Sequence, residues 1–199
     1  DDYDSELRYG GNLAYPSLQG MDSGNNVIYV GTFSKSLFPG LRLGYMVVPE
    51  ELVKPFSGMR FLIDRQSNEI LQMAVAEFIK TGLYETHLLK MRRIFEARRD
   101  YLIQAVQENF GDWGKFIATG QGMHLTFVFN NSDINDEAVA DLCRRQGVEL
   151  RSISSFSIGT PLYKGLIMGF GHFPPAQLLA AVSRIGFVLR DKFAAFGPN

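Results

Sequence analysis

From Met123 onward the chain alternates short apolar runs with amphipathic ones, in an order that points to a layered α/β arrangement. "MHLTFVFN" reads as a strand and "DINDEAVADLCRRQG" as a helix, with Asp133 or Asn135 able to cap it and Gly147 able to stop it. "VELRSI" and "GLIMGFG" read as further strands, and "PPAQLLAAVSRIGFVLRDKF" as a closing helix with proline in its first turn. Upstream, apolar residues recur at helical spacing twice. Ile70, Met73, Ala74 and Phe78 do so between Gln66 and Lys80, and Leu88, Met91, Phe95, Leu102 and Val106 between Tyr84 and Phe110, where Gly111 ends the pattern. Further upstream still, "NVIYVGTF" and "LGYMVVP" are short β-branched and aromatic runs bounded by turn formers, the second stopping at Pro49. A loop from Gly10 to Asn26, punctuated by Pro16, Gly20 and Gly24, precedes them.

Composition narrows the classes of function. With 199 residues, 46% of them hydrophobic, the chain can bury a sizeable core. A net charge of −1 lacks the basic excess that binding to a phosphate backbone demands, so this stretch is not expected to contact DNA. Its single cysteine, Cys143, excludes an internal disulfide and fits a reducing cytoplasm. No apolar run is long enough to span a bilayer.

Between the two upstream strands lies "VGTFSKSLFPGLRLGY", which puts Lys35 at the mouth of a strand. In water a lysine amine is protonated at neutral pH, and it acts as a nucleophile only where a site alters it or converts it to an imine. Thr32 and Ser34 add hydroxyls, Arg42 adds a fork of donors, and Gly31, Gly40 and Gly44 let the backbone approach a ligand closely. This set would hold a phosphate beside an amine, and pyridoxal 5′-phosphate (PLP) needs both. Its pyridine nitrogen also calls for a carboxylate, available at Asp1 and Asp2, and Tyr3 could donate a hydrogen bond to the ring's phenolic oxygen.

"TFSKSLFPGLRLGY" resembles the lysine motif of fold-type I aminotransferases. With "DDYDSELRY", "NVIYVGTFSK" and "HLLKMRRIFEARRDYL", the chain closely resembles, over essentially its whole length, the aminotransferase-like domain of MocR-type regulators in the GntR superfamily. The resemblance implies the C-terminal part of a fold-type I PLP-dependent transferase: a remnant of the large domain over residues 1–86, then the interdomain helix and small α/β domain over 87–199. It implies Lys35 as the residue that condenses with the cofactor, Asp1 as the pyridinium partner, Tyr3 as the phenolate-oxygen partner, and Thr32 and Arg42 as phosphate contacts. It further implies an effector domain of a cytoplasmic transcriptional regulator, a homodimer when intact, that meets DNA through an N-terminal winged helix and answers to PLP or a small amino compound. A piece with only the later half of the cofactor domain would enclose PLP poorly, so weak or no binding is expected of it.

One departure bears on activity. Aminotransferases carry an arginine near the last strand of the small domain to grip the substrate carboxylate, whereas "GLIMGFG" has Ile167 and Met168 there; Arg151 and Lys164 are the nearby alternatives. The competing reading is a stand-alone PLP-dependent aminotransferase acting on an amino acid, with Lys35 as general base. Other features read as structure. Arg92, Arg93, Arg98 and Arg99, interleaved with Glu85, Glu96 and Glu108, read as a solvated, ion-paired helix face. His87, His124 and His172 lack ligand spacing, so no metal site is expected.

Overall fold

The computed structural model describes residues 2, 4–10, 16–65, 67–118 and 120–197. Its elements fall into two compact units, residues 1–92 and 93–199. The break lies inside a long helix, where the sequence reading divides the chain at residue 86.

In the first unit a short helix, α1 (Leu18–Met21), is followed by a loop in which the Asp22 carboxylate accepts the backbone N–H groups of Gly24, Asn26 and Val27 at 2.9, 2.5 and 2.8 Å. That turn delivers the chain into β1 (Tyr29–Thr32), which pairs antiparallel with β2 (Gly44–Val47), Gly31 lying opposite Tyr45. A Cβ built on Gly31 would stand 2.5 Å from the Tyr45 ring, so only glycine lets that ring lie across the strand. Three helices follow: α2 (Glu50–Asp64), α3 (Glu69–Lys80) and α4 (Leu83–Phe110). Asn68 caps α3, its side chain accepting from the Leu71 N–H at 3.2 Å. In one packed cluster of the unit Phe33, Leu41 and Val75 are buried, with Leu37, Leu43, Leu71 and Tyr84 against them, and Leu7, Tyr9 and Leu88 are buried as well.

The second unit takes in the rest of α4 and is built round a four-stranded antiparallel sheet, order β3-β4-β6-β5. β3 (Gly114–Ile117) pairs with β4 (His124–Phe129), and after α5 (Asp136–Arg145) come β5 (Arg151–Ser152), β6 (Gly165–Gly169) and α6 (Pro175–Lys192). Phe127 is buried at the centre of the sheet, with Phe110, Phe116 and Phe129 around it at ring-centroid distances of 5.4, 5.2 and 6.0 Å. Leu178, Val182, Ile185 and Leu189 recur at helical spacing and form the buried stripe of α6.

Asn135 caps α5, accepting from the Ala138 N–H at 3.0 Å, so of the two capping candidates the structure uses Asn135. Gly147 ends that helix in the left-handed region, φ +75°, where a side chain is strained. The Asp136 carboxylate is 1% exposed and accepts from the backbone N–H groups of Gly165 (2.9 Å) and Ser154 (3.1 Å), tying the start of α5 to the entrance of β6.

Two elements, α2 and β3, carry no sequence expectation, and the short α1 lies in the stretch read as a loop. One strand is shorter than expected: of "VELRSI" only Arg151 and Ser152 are strand. The Val148 N–H instead closes onto the Cys143 carbonyl at 2.9 Å as part of the helix end.

Candidate functional site: the lysine turn

Lys35 sits in a turn directly after β1, closed by the Leu37 N–H donating to the Phe33 carbonyl at 2.8 Å. The chain holds this turn by anchoring apolar residues on both sides of the lysine. Phe33 and Leu41 are buried, Leu37 and Leu43 pack against them, and the Phe33 ring meets Tyr45 at 5.2 Å and Tyr84 at 5.9 Å. A further tie comes from α4, where the His87 ring donates from Nε2 to the Ser36 carbonyl at 3.0 Å. A carbonyl only accepts, so this bond fixes a proton on Nε2. Burial, the leading influence, raises the Tyr84 phenol above the ordinary tyrosine range, keeping it neutral beside the turn.

The hydroxyls divide their work. The Ser34 N–H donates to Thr32 Oγ1 at 3.1 Å, and Thr32 Oγ1 lies 3.0 Å from Ser34 Oγ and 3.5 Å from the Leu43 carbonyl. With the Thr32 proton spent inside the turn, the Ser34 hydroxyl keeps its own proton free to donate outward. Arg42, just past a 3₁₀ turn at Pro39–Leu41, holds φ +50°, ψ +39°, a left-handed conformation that costs a residue with a Cβ about 1 kcal/mol. Its side chain is exposed and forms no hydrogen bond or ion pair with the described residues. A strained backbone carrying a free guanidinium is the kind of outlier that marks a ligand contact.

At the N-terminal end, Asp1 and Tyr3 lie outside the described residues. Asp2 is described: its N–H donates to the Val30 carbonyl at 2.9 Å and it forms a parallel bridge with Gly31, so the chain start runs alongside β1. The Asp2 carboxylate accepts from the Tyr29 hydroxyl at 3.0 Å and the Ser5 N–H at 3.2 Å. Burial alone would raise the Asp2 carboxyl, but these hydrogen bonds outweigh it and leave the group below the usual carboxylate range. Burial, then the contacts with Tyr45 and Asp2, push the Tyr29 phenol well above its usual range. Of the two aspartates open to the sequence reading, Asp2 is thus committed to Tyr29 and Ser5.

The structure therefore brings Thr32, Ser34, Lys35 and Arg42 onto one connection, beside the strand that Asp2 flanks. A primary amine, a spare hydroxyl donor and an unengaged guanidinium form a donor set that fits a phosphorylated aldehyde such as PLP. His87 is the contributor that the sequence pattern misses; it lies far from Ser36 along the chain and has no local motif.

The other sequence candidates lie in the second unit. Ile167 is half-buried in β6, opposite Thr126 on one side and Arg151 on the other, while Met168 is buried in the core. Arg151 is exposed, its guanidinium 5.7 Å from the centre of the Phe156 ring. Three arginines of the basic cluster on α4 are engaged with the protein itself, two of them with backbone carbonyls and, among the described residues, only Arg99 in the ion pairs expected of the helix face. Arg92 donates to the Glu6 carbonyl at 2.5 Å, Arg98 to the Gly171 carbonyl, and Arg99 pairs with Asp100 at 2.6 Å and Glu96 at 3.5 Å.

The chain has relatives among known proteins. The chain is 33% identical over 195 residues to the Rhizobium meliloti protein described as "Probable rhizopine catabolism regulatory protein MocR", covering 98% of this chain and 38% of that one. It is 32% identical over 185 residues to YhdI, an HTH-type transcriptional regulator of Bacillus subtilis, covering 93% and 39%. The chain thus spans about two fifths of the length of these relatives. Among solved structures, the multiple substrate aminotransferase of Thermococcus profundus superposes with a TM-score of 0.85 at 23% identity, over 98% of this chain and 48% of that one. The α-aminoadipate aminotransferase LysN of Thermus thermophilus, solved with N-(5′-phosphopyridoxyl)-L-leucine, gives 0.84 at 22%, over 98% and 50%. The fold is that of the later half of a fold-type I transferase, and the resemblance to MocR-type regulators holds along nearly the whole chain. Residues 5–171, the lysine turn among them, match the family "Aminotransferase class I and II", to which this chain belongs.

Proposed function

We propose that this chain is the cofactor-holding part of the effector domain of a GntR/MocR-type transcriptional regulator, with Lys35 as the residue that PLP modifies. When bound, PLP supplies an electrophilic carbon that a primary amine can attack and an electron-withdrawing ring. The chain's own residues would present the amine of Lys35, hold the phosphate through Arg42 and Ser34, with Thr32 contacting it only if its proton turns away from the turn, and keep the turn in shape through Phe33, Leu41 and the bond from His87. Asp1 and Tyr3 are assigned to the pyridine nitrogen and the phenolic oxygen. The observation that carries this reading is Arg42, held in a strained backbone conformation with its guanidinium unengaged among the described residues.

In the intact protein, a homodimer in this reading, binding of PLP or a small amino compound alters the placement of a DNA-binding domain that precedes this chain. That requires the ligand to bind two conformations with different affinity. The aminotransferase structures that this chain matches favour a second reading, an enzyme in which Lys35 moves a proton. Ile167 and Met168, where such enzymes carry a carboxylate-binding arginine, favour the regulator.

Full-length protein treated with PLP, reduced with borohydride and digested is expected to carry the pyridoxyl label on the peptide containing Lys35, and Lys35→Ala protein to carry none. A label on another peptide would overturn the assignment. Incubation of the same protein with amino acids and a keto acid separates the readings: turnover of amino groups supports the enzyme, and ligand-dependent DNA affinity without turnover supports the regulator.

A further inference from the structure

The second unit contains a cleft of about 360 Å³ that is separate from the lysine turn. Its volume falls in the range of small-molecule sites. Side chains of three elements and the α5–β5 connection line it: Leu102 of α4, Val148, Met168 of β6, and Leu178 and Ile185 of α6, with Phe173 at its edge. The first five are at least nine-tenths buried, whereas Phe173 is 46% exposed, so the cleft runs from an open mouth into the apolar interior.

Charge at the mouth is uneven. Arg184 of α6 donates one N–H to the Gln146 carbonyl at 3.0 Å, at the end of α5, and its guanidinium lies 3.4 Å from where a Cβ on Gly147 would stand. It forms no ion pair among the described residues, so most of its five N–H donors remain uncommitted. Glu149, also at the mouth, is already engaged: its carboxylate lies 3.2 Å from Arg144 Nε, and Arg144 in turn meets Asp141 at 2.6 Å. The net invitation is to one negative group beside Arg184 with an apolar body extending inward.

We infer that this cleft binds a small amphipathic carboxylate, its carboxyl group on Arg184 and its hydrocarbon portion between α6 and β6. The inference does not depend on Lys35 or on PLP. It gives the second unit a ligand site of its own, of a chemistry unlike that of the lysine turn.

The test uses the 199-residue chain with octanoate, octan-1-ol and octylamine as probes, read by amide chemical shifts and by titration calorimetry. Octanoate is expected to shift the amides of Val148, Leu150, Met168 and Leu178, and to bind about tenfold more tightly than octanol or octylamine. Arg184→Gln, at an exposed position, is expected to remove that preference and leave octanoate and octanol within about twofold. Ala181→Phe, placed to fill the cleft, is expected to abolish the shifts while shifts elsewhere keep their native dispersion. The inference is overturned by equal binding of octanol, by preferential binding of octylamine, by shifts confined to other surfaces, or by no binding at millimolar octanoate.

Discussion

The two units bury their apolar residues in opposite ways. In residues 93–199 the sheet and the helices over it enclose their own apolar faces, with Leu125, Phe127, Leu166 and Phe170 all at 1% exposure or less. In residues 1–92 every residue of β2 is exposed and α2 buries none, so Met46, Met59, Leu62 and Ile63 stand at 51, 58, 75 and 75% exposure. Among the described residues nothing covers these side chains. A two-stranded sheet is also marginal by itself. The difference teaches that one unit encloses the apolar faces of its sheet while the other leaves β2 and α2 uncovered by the described residues.

The largest expected effect that sharpens the contrast is in the second unit. Phe127→Ala should cost about 3–5 kcal/mol in chemical denaturation, because it empties the centre of an aromatic cluster that cannot collapse. A loss under about 1 kcal/mol would mean that this core is not close-packed. Next, Asp136→Ala should cost about 2 kcal/mol by the same measurement, since it leaves the Gly165 and Ser154 N–H groups without their acceptor.

A smaller effect is expected in the first unit, from Glu6. Burial leads in raising its carboxyl above the ordinary glutamate value, and one carboxylate oxygen is buried without a hydrogen-bond partner. The folded state therefore holds this proton more tightly than the unfolded state. The associated stability is fully present below the unfolded pKa and is lost as pH rises through the folded one. Glu6→Gln should raise the thermal midpoint at pH 7 and leave it nearly unchanged at pH 3.5; a gain of equal size at both would refute the titration argument. The smallest effect is Leu62→Ser on α2, within about 0.5 kcal/mol in this chain alone, since the side chain packs on little. A cost above 2 kcal/mol would show that α2 is covered after all and break the comparison.

Much of the second unit was legible because its helices and strands carry the burial periodicity that self-enclosed elements must have. Leu178, Val182, Ile185 and Leu189 show it plainly. The elements that escaped lacked such a signal. α2 has Pro55 in its interior, ordinarily a helix breaker, and buries no face that a periodic stripe could reveal. β3 is only four residues long and sits between turn formers. At the lysine turn, Thr32, Ser34, Lys35 and Arg42 were readable because they are contiguous and chemically complementary. The bond from His87 to Ser36 was not, because it joins residues 51 positions apart. The positive φ of Arg42 was equally hidden, since arginine carries no preference for it.

Position 42 sets durability against purpose. Glycine there would relax the backbone, and Arg42→Gly should make the connection between β1 and β2 sturdier by up to about 1 kcal/mol while removing the cation that we propose contacts phosphate. A variant hunt guided by melting temperature alone would therefore tend to select a tougher protein that lacks the proposed phosphate contact.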